Sequence, residues 1–598
     1  MKLDQEKATL TYLELFRFLR PYLIRHRALV ALVILFVVAL AALSRAVPFL
    51  IGLVAEKGFQ QRDVQFLATA ALLYLGIEIL RTLFEFSEFS LFNFLGNRII
   101  HEIRVDLMRH TQKLPLEFYN QNSTGRILTR LTNDPGTLAE LFTDGIVTAF
   151  VQSVILISIL ISMLLISPKL TLMSLVLVPI FTLLAYFITE RIKVILSDQK
   201  KKLAEMNGFL SENFNGIKVL HILNQQKKAQ GELNKLSWDY WNLSLRSVKA
   251  YALLQPSMNL LNASVVISSL FLAGSAALRG ELPLAALIAF VLNAQDVIHP
   301  LREILEKYQQ FQNSLTSADR LRTLFSHQEE GFDETAISTK RFRGHIEFEN
   351  LSFRYAPHLP WVLKNVSLKI QPGTSLALAG RTGSGKTTFV SLLLRFYEAT
   401  EGRALIDGQS LSEISHHDLR RRFALIQQDP FLFKGSLREN ILLGDTTIAE
   451  SHLQRALELV GFHDYLRRTG RDLEFQVLEK GTNLSLGERQ LIAFLRVLTR
   501  DPDLVILDEA TANVDSETES LIQKATLEIM KSKTCLIIAH RLSTIENCDH
   551  MIVLSKGEIL RQGRPRELLA SYEIQNQLAE AGVNSTRIAE SAAGTADP

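Results

Sequence analysis

Three stretches of the chain, Ile146–Ile166, Leu170–Thr189 and Ala250–Leu278, contain no Asp, Glu, Lys or Arg. As helices rising about 1.5 Å per residue, each would cross the roughly 30 Å of hydrocarbon in a bilayer. Ala28–Ser44 is also free of charge, and the apolar run resumes beyond Arg45. Two further runs, 64–84 and 282–301, are broken only by Glu78 and Arg81 and by Asp296. A buried core helix explains one such run but not this many, so six membrane-spanning helices are expected.

The basic residues orient those helices. The short connections 55–63, 167–169 and 279–281 hold only Lys57, Arg62, Lys169 and Arg279, whereas 98–140 holds six Lys or Arg and 190–249 holds eleven. The basic stretches should be cytoplasmic, and both termini with them. Lys and Arg total 65 against 62 Asp and Glu, a net charge of +3. That balance provides no basic tail for nucleic acid and no acidic solvating region. Cys535 and Cys548 are the two cysteines, which rules out a disulfide framework. Residues 1–27 carry six basic and three acidic residues and no small-residue cleavage site, so no cleavable signal is expected.

The two cytoplasmic stretches read as extensions of the membrane helices, with turns expected near Asn120–Gly125 and Asn213–Gly216. This divides the chain into an α-helical membrane domain at 1–325, a polar linker at 326–343, an α/β domain at 344–583 and a disordered tail at 584–598. From Gly344 onward short β-like runs alternate with helical ones, the pattern of a parallel sheet covered by helices.

That second half carries the chemistry. Gly380-Arg381-Thr382-Gly383-Ser384-Gly385-Lys386-Thr387 fits G-x-x-x-x-G-K-[ST] and follows an apolar strand, Ser375–Ala379. Glycines let the backbone wrap a phosphate with N–H groups turned inward, and the helix that follows presents its positive end to the same group. Lys386 would reach the β- and γ-phosphates, and Thr387 would offer a hydroxyl to Mg²⁺. A second strand, Leu504–Leu507, leads into Asp508 and Glu509, suited to holding Mg²⁺ and polarising an attacking water. A third, Thr534–Ala539, leads into His540, within reach of a γ-phosphate. Ligands of open α/β sheets bind at such carboxyl ends.

Leu484-Ser485-Leu486-Gly487-Glu488-Arg489-Gln490 resembles the LSGGQ signature of ATP-binding cassette proteins. Gln428 resembles that family's Q-loop glutamine, Tyr355 its adenine-stacking aromatic and Asp515 its D-loop aspartate. The segments 115–134 and 212–218 resemble its two cytoplasmic coupling regions. Six spans followed by a P-loop ATPase domain resemble an exporter half-transporter of the multidrug or lipid type. The resemblance implies an ATP site built from Tyr355, Gly380 to Thr388, Gln428 and Asp508, with Mg²⁺ held by Thr387, Gln428 and Asp508. Lys386, Glu509 and His540 would act on the phosphates. Ser485, Gly487 and Asp515 would face a nucleotide on a partner. It also implies alternating access in a dimer, driven by ATP closing two cassettes, with lipid and hydrophobic or amphiphilic substrates as partners.

The signature departs from the family at Leu486, where the first glycine is expected, and at Glu488, where glutamine is expected. Ser485 and Glu488 still make an S-x-x-E capping box. Even so, Leu486 adds bulk and Glu488 adds an acid at a helix end that should present N–H groups to a γ-phosphate. The expectation is a heterodimer, in which this chain supplies the intact phosphate-loop side and its own signature serves a weak site. A homodimeric lipid flippase is the alternative. A soluble cassette ATPase conflicts with the spans, and an ATP-independent carrier conflicts with Lys386, Glu509 and His540. Finally, Glu78 and Asp296 lie equally far into their spans, as do Arg81 and His299. They suggest either a polar band in the cavity or ion pairs that only hold the structure.

Overall fold

The computed structural model describes residues 11–330, 342–508, 516–538 and 542–570. Glu509, Asp515, His540 and the tail at 584–598 lie outside these described residues. The chain divides into two compact units. One comprises 2–112 and 123–327; the other comprises 113–122 and everything from 328.

The first unit is helical. Its elements are α1 (Tyr12–Arg25), α2 (Arg27–Leu53), α3 (Val64–Gln112), α5 (Thr124–Glu140), α6 (Val147–Ile166), α7 (Pro168–Leu175), α8 (Leu177–Asn215), α9 (Ile217–Ile222), α10 (Gln226–Leu278), α11 (Leu284–Asp296) and α12 (Ile298–Ser326). The short helix α4 (Leu116–Gln121) falls in the other unit. Among the described residues, five helical stretches are long and apolar enough to cross a membrane: Arg27–Gln60, Val64–Gln112, Val147–Ile166, Pro256–Leu278 and Leu284–Ile304. The remaining apolar run, Leu170–Thr189, is shared between α7 and α8, which a turn at Val176 separates.

Helix α3 runs for 49 residues and α10 for 53, more than twice what hydrocarbon requires. The polar ends of both are therefore continuous with their spans, as the mixed charge of 98–140 and 190–249 suggests. The first turn lies where Pro115 and Ser123 cap α4 and α5. The second lies at Gly216, which caps α8. Apolar burial gathers around Ile159, Met163, Leu261, Val265 and Phe290, where α6, α10 and α11 meet.

The second unit holds two principal sheets. A four-stranded antiparallel sheet is built from β1 (Ile346–Phe353), β2 (Leu363–Ile370), β4 (Glu401–Ile406) and β5 (Gln409–Ser410), in the order β2-β1-β4-β5. The other contains β3 (Ser375–Ala379), β6 (Phe423–Ile426), β9 (Leu504–Asp508), β10 (Thr534–Ile538), β11 (His550–Ser555) and β12 (Glu558–Gly563), in the order β12-β11-β3-β10-β9-β6. A pair of short strands, β7 (Gly435–Ser436) and β8 (Gln476–Val477), stands apart. In the larger sheet only β12 is antiparallel. Strands β3 and β10 are buried along their whole length, which is why they read as unbroken apolar runs rather than alternating ones. The register sets Ile538 of β10 beside Leu378 of β3 on one side and Asp508 of β9 on the other. The carboxyl ends of β3 and β9 therefore finish level, one strand apart.

Candidate active site

Strand β3 delivers the chain into the loop 380–385, and α13 (Lys386–Leu393) leaves it. Two glycines make that turn possible. Gly380 has φ +151°, and a Cβ there would sit 2.3 Å from the Leu554 carbonyl oxygen. Gly385 caps α13 with φ +106°, and a Cβ would come within 2.7 Å of Leu363 Cδ2. Both require a residue without a side chain. The Ser384 hydroxyl oxygen is buried with no hydrogen-bond partner among the described residues. A buried orphan of this kind calls for a ligand, and a phosphate oxygen at the loop would meet that need. Arg381, Thr382 and Gly383, at the crest of the loop, are exposed.

Lys386 folds back over the loop. Its Nζ donates to the Gly380 carbonyl at 2.6 Å and the Arg381 carbonyl at 3.1 Å. Burial pushes this ammonium below its usual range, while the nearby Asp508 carboxylate opposes the shift. An anion entering the loop would supply the missing counter-charge. Thr387 is exposed in the first turn of α13. Its hydroxyl, the Asp508 carboxylate and the Gln428 amide oxygen are all hard oxygen donors, the set that Mg²⁺ prefers. Among the described residues no group of three His, Cys, Asp or Glu side chains could hold a metal.

Tyr355 follows the end of β1. Its hydroxyl shares a 2.9 Å hydrogen bond with Thr388 Oγ1 in the first turn of α13. The ring meets Tyr397 edge-on, with centroids 5.1 Å apart. It remains 43% exposed, leaving surface for a planar base.

The signature helix α18 (Leu486–Arg500) begins with the capping box read from the sequence. Glu488 N donates to Ser485 Oγ at 3.2 Å, and Ser485 N donates to Glu488 Oε2 at 2.6 Å. Ser485 is exposed, Gly487 is buried and Leu486 is partly exposed. Glu488, read from the sequence as an added acid at this helix end, is held by partners of its own unit. The residue is only 8% exposed, and its carboxylate accepts from Tyr465 Oη at 2.7 Å and from Arg471 at 2.5 Å. Burial alone would raise its pKa. The Tyr465 bond, the Ser485 N–H and the Arg471 charge outweigh that and hold it below the usual range. The altered position is thus compensated from within the same unit.

The first turns of α18 are also tied to the loop that carries Gln428. Gln490 donates to the Gln428 carbonyl at 3.0 Å, and Arg489 pairs with Asp429 at 3.1 Å. Sequence reasoning missed Tyr465, Arg471 and Gln490 as supports of the site. An unpaired-looking acid in a family-unlike position was the available signal, since buried acids seek cations.

In the helical unit Glu78 pairs with Arg81 at 3.4 Å, and Asp296 pairs with Arg45 at 3.2 Å. Arg45 also donates to Asn293 at 2.9 Å. His299 approaches Glu303 at 3.9 Å.

A set of membrane-crossing helices joined to a phosphate-binding loop at the head of a parallel sheet defines a nucleotide-powered membrane transporter. The chain belongs to the ATP-binding cassette transporter family. The family model described as ABC transporter transmembrane region matches residues 30–301, and the one described as ABC transporter matches residues 363–512. A Bacillus subtilis relative named "Probable multidrug resistance ABC transporter ATP-binding/permease protein YheH" is 32% identical over 535 residues, 86% of this chain and 78% of that protein. The ATP-dependent lipid A-core flippase of Nitrosococcus oceani is 30% identical over 560 residues, 94% of this chain and 93% of that protein. The solved structure of a bacterial Atm1-family ABC exporter with ATP bound has the same fold, with a TM-score of 0.77 at 22% identity over 94% of this chain and 99% of that one. The chain is therefore a multi-pass membrane protein whose ATPase domain binds ATP and couples its hydrolysis to transport.

Proposed function

We propose that this chain is one half of a two-chain exporter that moves hydrophobic or amphiphilic molecules, drugs or lipids, out of the inner leaflet of a bacterial inner membrane, with both termini in the cytoplasm. The observation that carries the reading is the phosphate cradle. Gly380 and Gly385 stand where no side chain fits, the Ser384 hydroxyl lacks a partner, and Lys386 lies over the loop. Helices continuous from bilayer to cytoplasm, α3 and α10, supply the mechanical link. The names of the relatives, a multidrug resistance protein and a lipid flippase, support the substrate class.

In this reading the residues act as follows. Tyr355 stacks on the adenine. The N–H groups of 380–387 and the Lys386 ammonium hold the β- and γ-phosphates. Thr387, Gln428 and Asp508 hold Mg²⁺, which when bound neutralises phosphate charge and polarises the γ-phosphoryl group. Glu509 orients the attacking water, and His540 contacts the γ-phosphate. Ser485 and Gly487 present the start of α18 to a nucleotide on the partner. ATP binding favours the closed pair of cassettes, and hydrolysis releases it.

We further infer that the partner is a different half-transporter. With the Glu488 charge compensated, Leu486 carries this inference: its bulk stands where close backbone approach to a γ-phosphate is needed. The compensation of Glu488 by Arg471 is also what favours the second reading, a homodimeric flippase with a working signature. The test is to purify the chain from its native membrane, identify copurifying proteins by mass and reconstitute the complex. ATP-dependent movement of a cationic dye or labelled lipid is expected, and Lys386→Ala should abolish it. Equal flux without ATP would contradict the reading.

A further inference from the structure

Helix α4 belongs to the same compact unit as the nucleotide site, and a chain of contacts runs from one to the other. Asn120, near the end of α4, donates from Nδ2 to the Tyr397 hydroxyl at 2.7 Å. The Tyr397 ring meets Tyr355 edge-to-face, with centroids 5.1 Å apart and planes at 89°. Phe353 stands against both, 4.9 Å from Tyr355 and 5.6 Å from Tyr397. The Tyr355 hydroxyl closes the series on Thr388 of α13 at 2.9 Å.

Packing does not fix these two tyrosines from every side. Both line a cavity of about 560 Å³ that is also bordered by Pro115, Glu117, Glu330 and His416. An edge-to-face contact has a preferred angle, so turning one ring turns the other or breaks the contact. With space on one side, the hydroxyl bonds at the two ends of the pair decide where the rings stand. One of those ends is anchored on α4 and the other on the phosphate-loop helix.

We propose that Tyr397 is a positioning residue for the base-contacting Tyr355, and that Asn120 sets it, so that ATP affinity depends on where α4 lies. This rests on the reading of Tyr355 as the adenine-stacking residue. The dependence is reciprocal: if displacing α4 changes ATP affinity by some factor, ATP shifts the position of α4 by the same factor. The relay acts on the base and not on the phosphates, which gives it a signature that general damage to the fold would not share.

The experiment measures equilibrium binding of a ribose-labelled fluorescent ATP, and of inorganic triphosphate by competition, to the full chain in lipid. Asn120→Ala and Tyr397→Phe should each weaken ATP binding about threefold to tenfold, the scale of one hydrogen bond. Together they should weaken it no further than the worse of the two, because both break the same bond. Asn120→Asp, whose carboxylate can accept from the same hydroxyl, should retain affinity. Triphosphate, which has no base, should bind all variants alike. Tyr355→Ala should lose about tenfold or more for ATP, as expected for a lost base stack. If Tyr355→Ala weakens ATP binding and the Asn120 and Tyr397 variants do not, the positioning role is overturned and the adenine assignment stands. If Tyr355→Ala has no effect either, both are overturned. Equal losses for ATP and triphosphate would also overturn the proposal.

Discussion

Glu488 and Arg471 form an ion pair at 2.5 Å in which the glutamate side chain is 11% exposed and the arginine 27%. The arginine lies over the ring of Phe475, 4.5 Å from its centroid, which holds the cation in place. The acid that interrupts the signature is thus part of the packing of the ATPase unit. Removing one partner leaves the other uncompensated, whereas removing both charges together is far milder. Arg471→Met should therefore destabilise the domain by about 1.5–3 kcal/mol, the scale of a hydrogen bond to a charged group. Glu488→Gln should recover much of that loss in the Arg471→Met background, although by itself it lowers stability. Chemical denaturation of the four variants checks this, and simple additivity would contradict it.

The pH dependence follows from the same pair. Glu488 titrates below the ordinary glutamate value in the folded state. Its contribution is therefore fully present above the unfolded-state pKa, about 4.3, and is lost as pH falls through the lower folded value. Wild-type stability should decline below about pH 4.5 more steeply than that of Glu488→Gln. Parallel curves would show that the pair contributes nothing to stability.

At the phosphate loop two substitutions should separate binding from turnover. Lys386→Ala removes the cation that covers the loop and should weaken ATP binding about tenfold or more. Glu509→Gln should leave binding intact and slow hydrolysis about 10²–10⁴-fold, because the group that orients water is lost while the phosphate contacts stay. Equilibrium binding and steady-state hydrolysis on the same preparations distinguish them. Near-normal hydrolysis by Glu509→Gln would refute its role.

In the membrane unit Arg45 of α2 pairs with Asp296 of α11, and Arg81 pairs with Glu78 within α3. These pairs support the structural reading over a substrate-binding acidic band. Glu78→Gln and Asp296→Asn should change the transport of cationic amphiphiles by less than about twofold, the effect of a partly exposed pair. Arg45→Met, which strands both Asp296 and Asn293, should lower yield and thermal stability. Selective loss of cationic substrates in Asp296→Asn would restore the polar band.

What the sequence displayed was local. The strand into Gly380, the capping box of Ser485 and Glu488, and the apolar runs over α2, α6 and α10 are all set by neighbours a few residues apart. The contacts that shape the site and hold the helical unit join residues far apart in the chain. Asn120 and Tyr397 are 277 positions apart, Arg45 and Asp296 are 251 apart, and even Arg471 lies 17 before Glu488, across the turn preceding α18. No periodicity encodes such pairs. The division of the run Leu170–Thr189 at Val176 was passed over because no charged residue interrupts that run.

In the proposed pairing this chain brings an intact phosphate-loop side and the other half supplies the working signature, with Leu486 weakening its own. ATP hydrolysis by the chain purified alone and reconstituted in lipid decides between this pairing and a homodimer. The lone chain should bind ATP but turn over slowly, without stimulation by lipid or amphiphile. Leu486→Gly should raise the rate about tenfold or more by letting the helix N–H groups reach the γ-phosphate. Rapid, amphiphile-stimulated hydrolysis by the unmodified lone chain would contradict the asymmetric pairing and establish the homodimer.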